Sequence, residues 1–287
     1  MKSIKYLLCF VCLAIFSCTK LKEQVLDESS VSGLTDRQLA EGIIAPVYNV
    51  LPDIFLHTRY FTLQEISTDE AILPYRGGTD WGDNGIYLSM HRHETVSTDP
   101  NVQGTWTSIV TGLSRSVTAI TSLKTNKDAS ANLFLAEARG MRAYYSLLTL
   151  DLFGIVFIKE DPNATSKVVR GDDAIKYIES ELLAIEPVVD DANGPGRITK
   201  SAVWGLLARL YLNAAIYRDR YAASFTFKSD DMAKVVDYCN KIISSGHYNL
   251  ATEYFSIFSN DNHTNKELIF AVDQRPDQLA WRRCSTS

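Results

Sequence analysis

The chain has 287 residues, of which 46% are hydrophobic and 22% charged, and its formal net charge is −5. That composition excludes disordered and fibrous classes, and the length suffices for one large domain or two ordinary ones with a real core. No run of Lys or Arg exceeds two residues, which argues against nucleic acid, because displacing its counterions takes clustered cations.

The N-terminus is a targeting segment. Two lysines precede eleven apolar residues at 6–16, YLLCFVCLAIF, too few to span a bilayer but enough for a signal-peptide core. The segment ends Ile15-Phe16-Ser17-Cys18, a small residue directly before a cysteine. This resembles a bacterial lipobox, so residues 1–17 are expected to be a lipoprotein signal peptide and Cys18 the lipidated residue. Cleavage removes Lys2 and Lys5 and takes the net charge from −5 to −7. An ordinary signal peptide with an incidental cysteine is the competing reading. Only Cys239 and Cys284 would then remain besides Cys18, so no disulfide framework is expected and stability must come from packing. No second hydrophobic run is long enough for a membrane span. The expected object is a folded body held to a membrane by acyl chains.

Residues 18–34 are polar and turn-rich, as a tether would be, and the folded body is expected over 35–287. Thr35-Asp36-Arg37-Gln38 fits a capping box, followed by Leu39, Ile43, Val47 and Val50 at helical spacing, with Pro46 expected to kink the run. Residues 52–104 show no long amphipathic period and are expected to be an extended irregular insert, which at this length suggests function or disorder. Helical spacing returns from Trp106 to Leu123 and again over 131–153, closed by Gly154. A further helix is expected behind Asp172 or Asp173, stopping before Pro187. Another starts behind Thr199, and one behind Ser229 closes at Gly246 with Met232, Val235, Val236, Cys239 and Ile242 inward. Residues 267–272, ELIFAV, read as a short strand. Short connections suggest antiparallel helix pairs, and Trp204-x2-Leu207-Ala208-x2-Tyr211 matches the opening of the tetratricopeptide signature. The fold class expected is mainly α, with tetratricopeptide-like antiparallel helix pairs, a long irregular loop insert and minor strands.

Catalytic signatures are weak. Asp69-Glu70 are adjacent and diverge in any regular structure, whereas a glycosidase needs two carboxyls facing each other across a bond. His91-Arg92-His93 lacks a third ligand at zinc spacing, and Asp80, Asp83 and Asn84 do not follow an EF-hand pattern. Gly77-Gly78 does not continue into a phosphate loop, and no G-x-S-x-G elbow occurs. Neither a metal nor a cofactor is expected. The stretch YRGGTDWGDNG at 75–85 holds four of the 15 glycines around Trp81. An aromatic face stacks on the C–H face of a sugar while Asp, Asn and Arg bond its hydroxyls, and Trp81 has Arg76, Asp80, Asp83 and Asn84 beside it. Phe55, Tyr60, Phe61, Tyr75 and Tyr87 are further aromatic candidates in the insert.

These segments resemble the SusD/RagB family. AEARGMRAYYSLLTLDLFGIVFI at 136–158 is similar to its hallmark AEAR…RAYYY…LFG-x-VP, with Phe157-Ile158 where Pro is usual. GRITKSAVWGLLARLYLNAA at 196–215, HYNLATEYFSIFSNDNHTNKELIFAV at 247–272 and the STDE…RGGTDW region also resemble family segments. The resemblance implies a surface lipoprotein of the outer membrane in Bacteroidetes-type bacteria. Such a protein binds glycan or another nutrient without cleaving it and serves a SusC-like, TonB-dependent transporter. It nominates Trp81, Arg76 and Asp69 for ligand contact. Family members are about twice this length and AWRRCSTS does not resemble their continuation, so the chain is expected to be incomplete at its C-terminus. A helical-repeat interaction scaffold without its own ligand, and a non-functional fragment, are the alternative readings.

Overall fold

The computed structural model describes residues 34–77 and 83–273. The expected signal peptide, Cys18 and most of the tether lie outside the described residues, as do Trp81 and residues 274–287. Thr35 and Gln38 form the capping box at the start of α1 (Asp36–Tyr48): the Thr35 hydroxyl accepts from the Gln38 N–H, and Gln38 Oε1 accepts from the Thr35 N–H at 2.9 Å. Pro46 stands inside this helix without ending it, because the one N–H it removes falls in the last turns. Ala40, Ile44 and Val47 are the buried face.

The insert is less irregular than its composition suggests. It contains α2 (Leu51–Ile54), a turn at His57–Phe61 kinked at Arg59, α3 (Thr62–Glu65) and α4 (Ile86–His91). Among the described residues of the insert, irregular chain is confined to the link at 55–56 and to 66–76, 83–85 and 92–99. Helix α5 (Pro100–Leu123) starts before Trp106, because Asp99 caps it by accepting from the Asn101 and Val102 N–H groups and Pro100 occupies the first turn. A cap and a proline carry no hydrophobic period, so spacing alone places the start too late.

Helix α6 (Ala131–Phe153) is buried on most of its circumference and ends on Gly154 at φ 71°, the left-handed closure that glycine adopts without a side-chain clash. It packs beside α5, and the approach is close: a Cβ on Gly112 of α5 would stand 2.6 Å from the Tyr145 ring. Tyr145 also donates to the Val47 carbonyl of α1 at 2.6 Å, so one side chain ties three helices. A two-stranded antiparallel hairpin follows, β1 (Val156–Ile158) and β2 (Lys167–Val169), with Val156 opposite Val169. It leads into α7 (Gly171–Ile185), which packs on α6.

Helix α8 (Lys200–Leu212) begins behind Thr199, whose hydroxyl accepts from the Ala202 N–H at 3.1 Å. A short α9 (Ala214–Arg218) and α10 (Ser229–Ser244) complete the helices, with α10 packed along α8. Leu207, Ala208 and Tyr211 of the tetratricopeptide signature are buried, and Trp204 donates to Glu186 at 2.7 Å. Burial of each large core side chain contributes roughly 1.5–3 kcal/mol.

Four expectations need correction. Asp172 and Asp173 do not cap α7; Arg170 occupies the cap position and the two acids lie in the first turn, where the helix dipole favours them. Ser229 is the first residue of α10 and Lys228 its cap. On α10 the inward face carries Asp231, Tyr238 and Val235, while Val236 and Cys239 are exposed. Tyr238 stacks on Tyr211 at 6.3 Å between centroids, and that large ring sets the helix rotation. Residues 267–272 are not a strand: Ala271 N–H donates to the Pro195 carbonyl, a single bond rather than a ladder.

Candidate functional site

The body holds two kinds of polar geometry. Inside the helical frame, buried charges join helices. Glu181 of α7 accepts from Arg142 at 2.6 Å and from Arg139 at 2.8 Å. Burial pushes its carboxyl up, but the bonds and charges of these two guanidiniums outweigh that and hold it below the usual carboxylate range. Glu137, one turn earlier on α6, accepts from Tyr48 Oη and Arg197 Nε at 2.8 Å each. Arg197 Nη2 lies 2.7 Å from its other oxygen, an ion pair without hydrogen-bond alignment. Here burial dominates and the carboxyl is raised despite Arg197 and Tyr48. The AEAR…R motif is thus spent on packing: Glu137, Arg139 and Arg142 all serve as helix ties.

The second geometry is a lobe over 62–91 with its own small core of Ile66, Tyr87 and Met90, edged by Leu63, Ala71, Leu73 and Ile86. The lobe is rooted by the kinked turn at His57–Phe61 before it. Arg59 reaches Asp53 at 2.5 Å, the Gly104 carbonyl at 3.2 Å and Ser108. Arg209 of α8 donates to Tyr60 Oη at 2.7 Å and to Asp151 at 2.9 Å, and Tyr217 donates to the same carboxylate.

Asp69 and Arg76 both lie on exposed chain between α3 and α4, so the lobe carries them together, at opposite ends of one irregular segment. Trp81 lies outside the described residues. The other aromatic candidates divide by burial. Tyr87 is core, and its hydroxyl is raised first by burial, then by Asp83 and Asp99. Phe55 and Tyr60 pack against the frame and each other, 5.1 Å between centroids. Phe61 is exposed, and Tyr75 is 47% exposed with its ring against Gly85, where a Cβ would stand 3.6 Å from the ring. Tyr75 was one aromatic among six by composition; its exposure beside Arg76 is visible only in three dimensions.

His91 Nδ1 lies 3.2 Å from the Ile66 carbonyl, so this histidine closes the lobe. Among the described residues no group of three His, Cys, Asp or Glu side chains could hold a metal ion, and no single helix is long and apolar enough to cross a bilayer. A separate groove of about 1080 Å³ opens between α1, the loop at Asn193–Arg197 and the segment from Ser259 to Asp273.

No family model matches the chain. It is 30% identical over 224 residues to the starch-binding protein SusD of Bacteroides thetaiotaomicron, an alignment covering 75% of this chain and 37% of SusD. It is 24% identical over 264 residues to a SusD-like protein of Bacteroides ovatus, covering 88% of this chain and 45% of the relative. Among solved structures it is similar to the surface glycan-binding protein A from B. thetaiotaomicron in complex with laminarihexaose. The TM-score there is 0.65 at 21% identity, over 82% of this chain and 49% of that one. The chain therefore spans less than half the length of these relatives. The aligned sequence and the shared helical fold place it plainly: the chain belongs to the SusD/RagB family.

Proposed function

We propose that this chain is a glycan-binding protein, held to the outer membrane through lipidated Cys18, that passes its ligand to a SusC-like, TonB-dependent transporter. It binds and does not cleave. One observation carries the reading: the lobe over 62–91 presents Asp69, the exposed Tyr75 ring and Arg76 on one irregular segment, outside the packed frame. An aromatic face with flanking charged groups suits a sugar. The starch-binding name of one relative and the laminarihexaose bound to another favour an oligosaccharide of glucose as the first ligand to try. Trp81 completes the same segment in sequence and is assigned the stacking role with Tyr75.

Titration calorimetry with laminarihexaose and a malto-oligosaccharide tests this. Trp81→Ala should weaken binding at least tenfold with an unchanged thermal midpoint. Equal affinity in that variant removes Trp81 from the site, and no heat with any glycan removes the reading. Co-purification with a transporter without glycan affinity would favour the scaffold alternative. Labelling with radioactive palmitate, abolished by Cys18→Ala, tests the anchor.

A further inference from the structure

A cavity of about 250 Å³ is walled by Phe55 at the end of α2, Tyr144 of α6 and the residues Phe270, Ala271 and Val272. It shares no residue with the segment that carries Asp69, Tyr75 and Arg76. Three of its five wall residues are aromatic, and neighbouring rings hold them in place. Phe270 meets Tyr144 edge to face, 5.4 Å between centroids, and Phe55 meets Tyr60 in the same manner at 5.1 Å. Phe55 and Phe270 also pack against the main core. Walls of this kind suit an aromatic guest, which gains from edge-to-face and offset contacts.

The side chains of the wall carry one polar atom, Tyr144 Oη. Tyr144 is 7% exposed, so more than nine-tenths of it is buried, yet among the described residues its hydroxyl makes no hydrogen bond. Nearby tyrosines all spend theirs: Tyr145 on the Val47 carbonyl, Tyr60 on Arg209 and Tyr217 on Asp151. The Tyr144 oxygen also keeps accessible surface, unlike the sealed Tyr177 hydroxyl. Burial raises the Tyr144 hydroxyl first, and Tyr60 raises it further against Arg209, so it stays an O–H that both donates and accepts. Arg209 is itself paired with Asp151 at 2.9 Å, which leaves no spare charge for an ionised guest. The backbone N–H of Ala271 is spent on the Pro195 carbonyl.

Size and polarity together select the guest. An apolar cavity of about 150 Å³ holds a benzene-sized ring, so the larger volume here leaves room for one or two substituents. A hexose brings several hydroxyls, and all but one would lose water without finding a partner on these side chains. A lone water needs about two to four polar partners and finds one. We propose that this cavity is a binding site for a small uncharged aromatic molecule of the phenol class, its ring among Phe55, Tyr144 and Phe270 and its hydroxyl bonded to Tyr144 Oη. The site does not rest on the glycan reading, because the segment assigned to sugar contact contributes none of its walls.

Ligand-detected NMR titration of the full chain with p-cresol and toluene tests the proposal. p-Cresol should bind in the millimolar range or tighter, and about fivefold more tightly than toluene, which has the ring without the hydroxyl. Tyr144→Phe should bring the two ligands to equal affinity. It should move the thermal midpoint by about a degree at most, since the lost hydroxyl bonds nothing in the free protein. Ala271→Phe and Val272→Phe fill the cavity, and each should weaken p-cresol at least tenfold. An excess of laminarihexaose should leave p-cresol bound. Absence of p-cresol binding, equal affinity for toluene in the unaltered chain, or p-cresol affinity untouched by both filling substitutions overturns the proposal. Displacement by laminarihexaose overturns it as well, by making the cavity part of a sugar site. A chain that takes p-cresol in this way but no glycan sinks the glycan reading alone.

Discussion

The helical frame and the lobe over 62–91 solve the problem of stability in opposite ways. The frame joins its helices through buried ions as well as apolar packing; the lobe relies on three buried apolar side chains and a ring of half-buried neighbours. A frame of this kind is intolerant of change, because removing one partner strands a charge in a place water cannot reach. The lobe puts Asp69, Glu70 and Arg76 in solvent, where substitutions away from special features stay within about 0.5 kcal/mol. Glu137, Arg139 and Arg142 of the hallmark segment therefore hold the body together, and the segment assigned to ligand contact is physically free to vary.

The sharpest way to break this contrast is Glu181→Ala. It leaves Arg142 buried without its main partner and should cost about 3–5 kcal/mol, read as a shift of the urea midpoint. A cost near that of a surface change would show that the ion ties are incidental. Met90→Ala, in the lobe, should cost about 2–3 kcal/mol locally. Hydrogen exchange should quicken across 63–91 while the global midpoint holds; a matching global loss would mean lobe and frame unfold as one. Gly112→Ala drives a methyl into the Tyr145 ring, whose hydroxyl is fixed to the Val47 carbonyl. Overpacking of this sort costs about 1–3 kcal/mol, and an unchanged midpoint would show that α5 and α6 can part.

The smallest effect is one of pH, and it separates two acids of the frame itself. The Glu181 carboxyl is lowered, so its contribution is complete above the ordinary carboxylate range and disappears as pH falls through the lowered folded value. The Glu137 carboxyl is raised, so the folded protein takes up that proton more readily, and this group weakens the fold as pH rises through the raised value. In acid titrations followed by circular dichroism, Glu181→Gln should make the acid limb shallower and Glu137→Gln should make it steeper. Identical limbs would refute the opposed shifts.

What the sequence reveals is what is local. The Thr35–Gln38 box and the Thr199 cap are legible because donor and acceptor lie three residues apart. The face of α10 is not, since its rotation depends on Tyr238 meeting Tyr211 across two helices. Nor is the fate of 267–272: a β-like pattern forms a strand only where a neighbour offers a ladder, and here one carbonyl is on offer. The buried ties are invisible for the same reason, with Arg142 and Glu181 separated by 39 residues and Glu137 and Arg197 by 60. Of the nominated site, position on an exposed segment is readable from glycine and aspartate content. The sorting of Tyr75 outward and Tyr87 inward is not, because it depends on which ring the small core can enclose.

The root of the lobe has one more implication. Tyr60, held by Arg209, and Asp99, which caps α5, stand like two posts with a self-supporting segment slung between them. A segment that closes on its own core and is fastened at two fixed points behaves as a cartridge. If the hydrogen exchange test shows the lobe opening alone, such a cartridge can be lengthened, trimmed or exchanged with little retuning of the scaffold that carries it. Transplanting residues 62–91 between SusD-like proteins is then the smallest unit of trade, and descent can rewrite one part while leaving the other almost untouched.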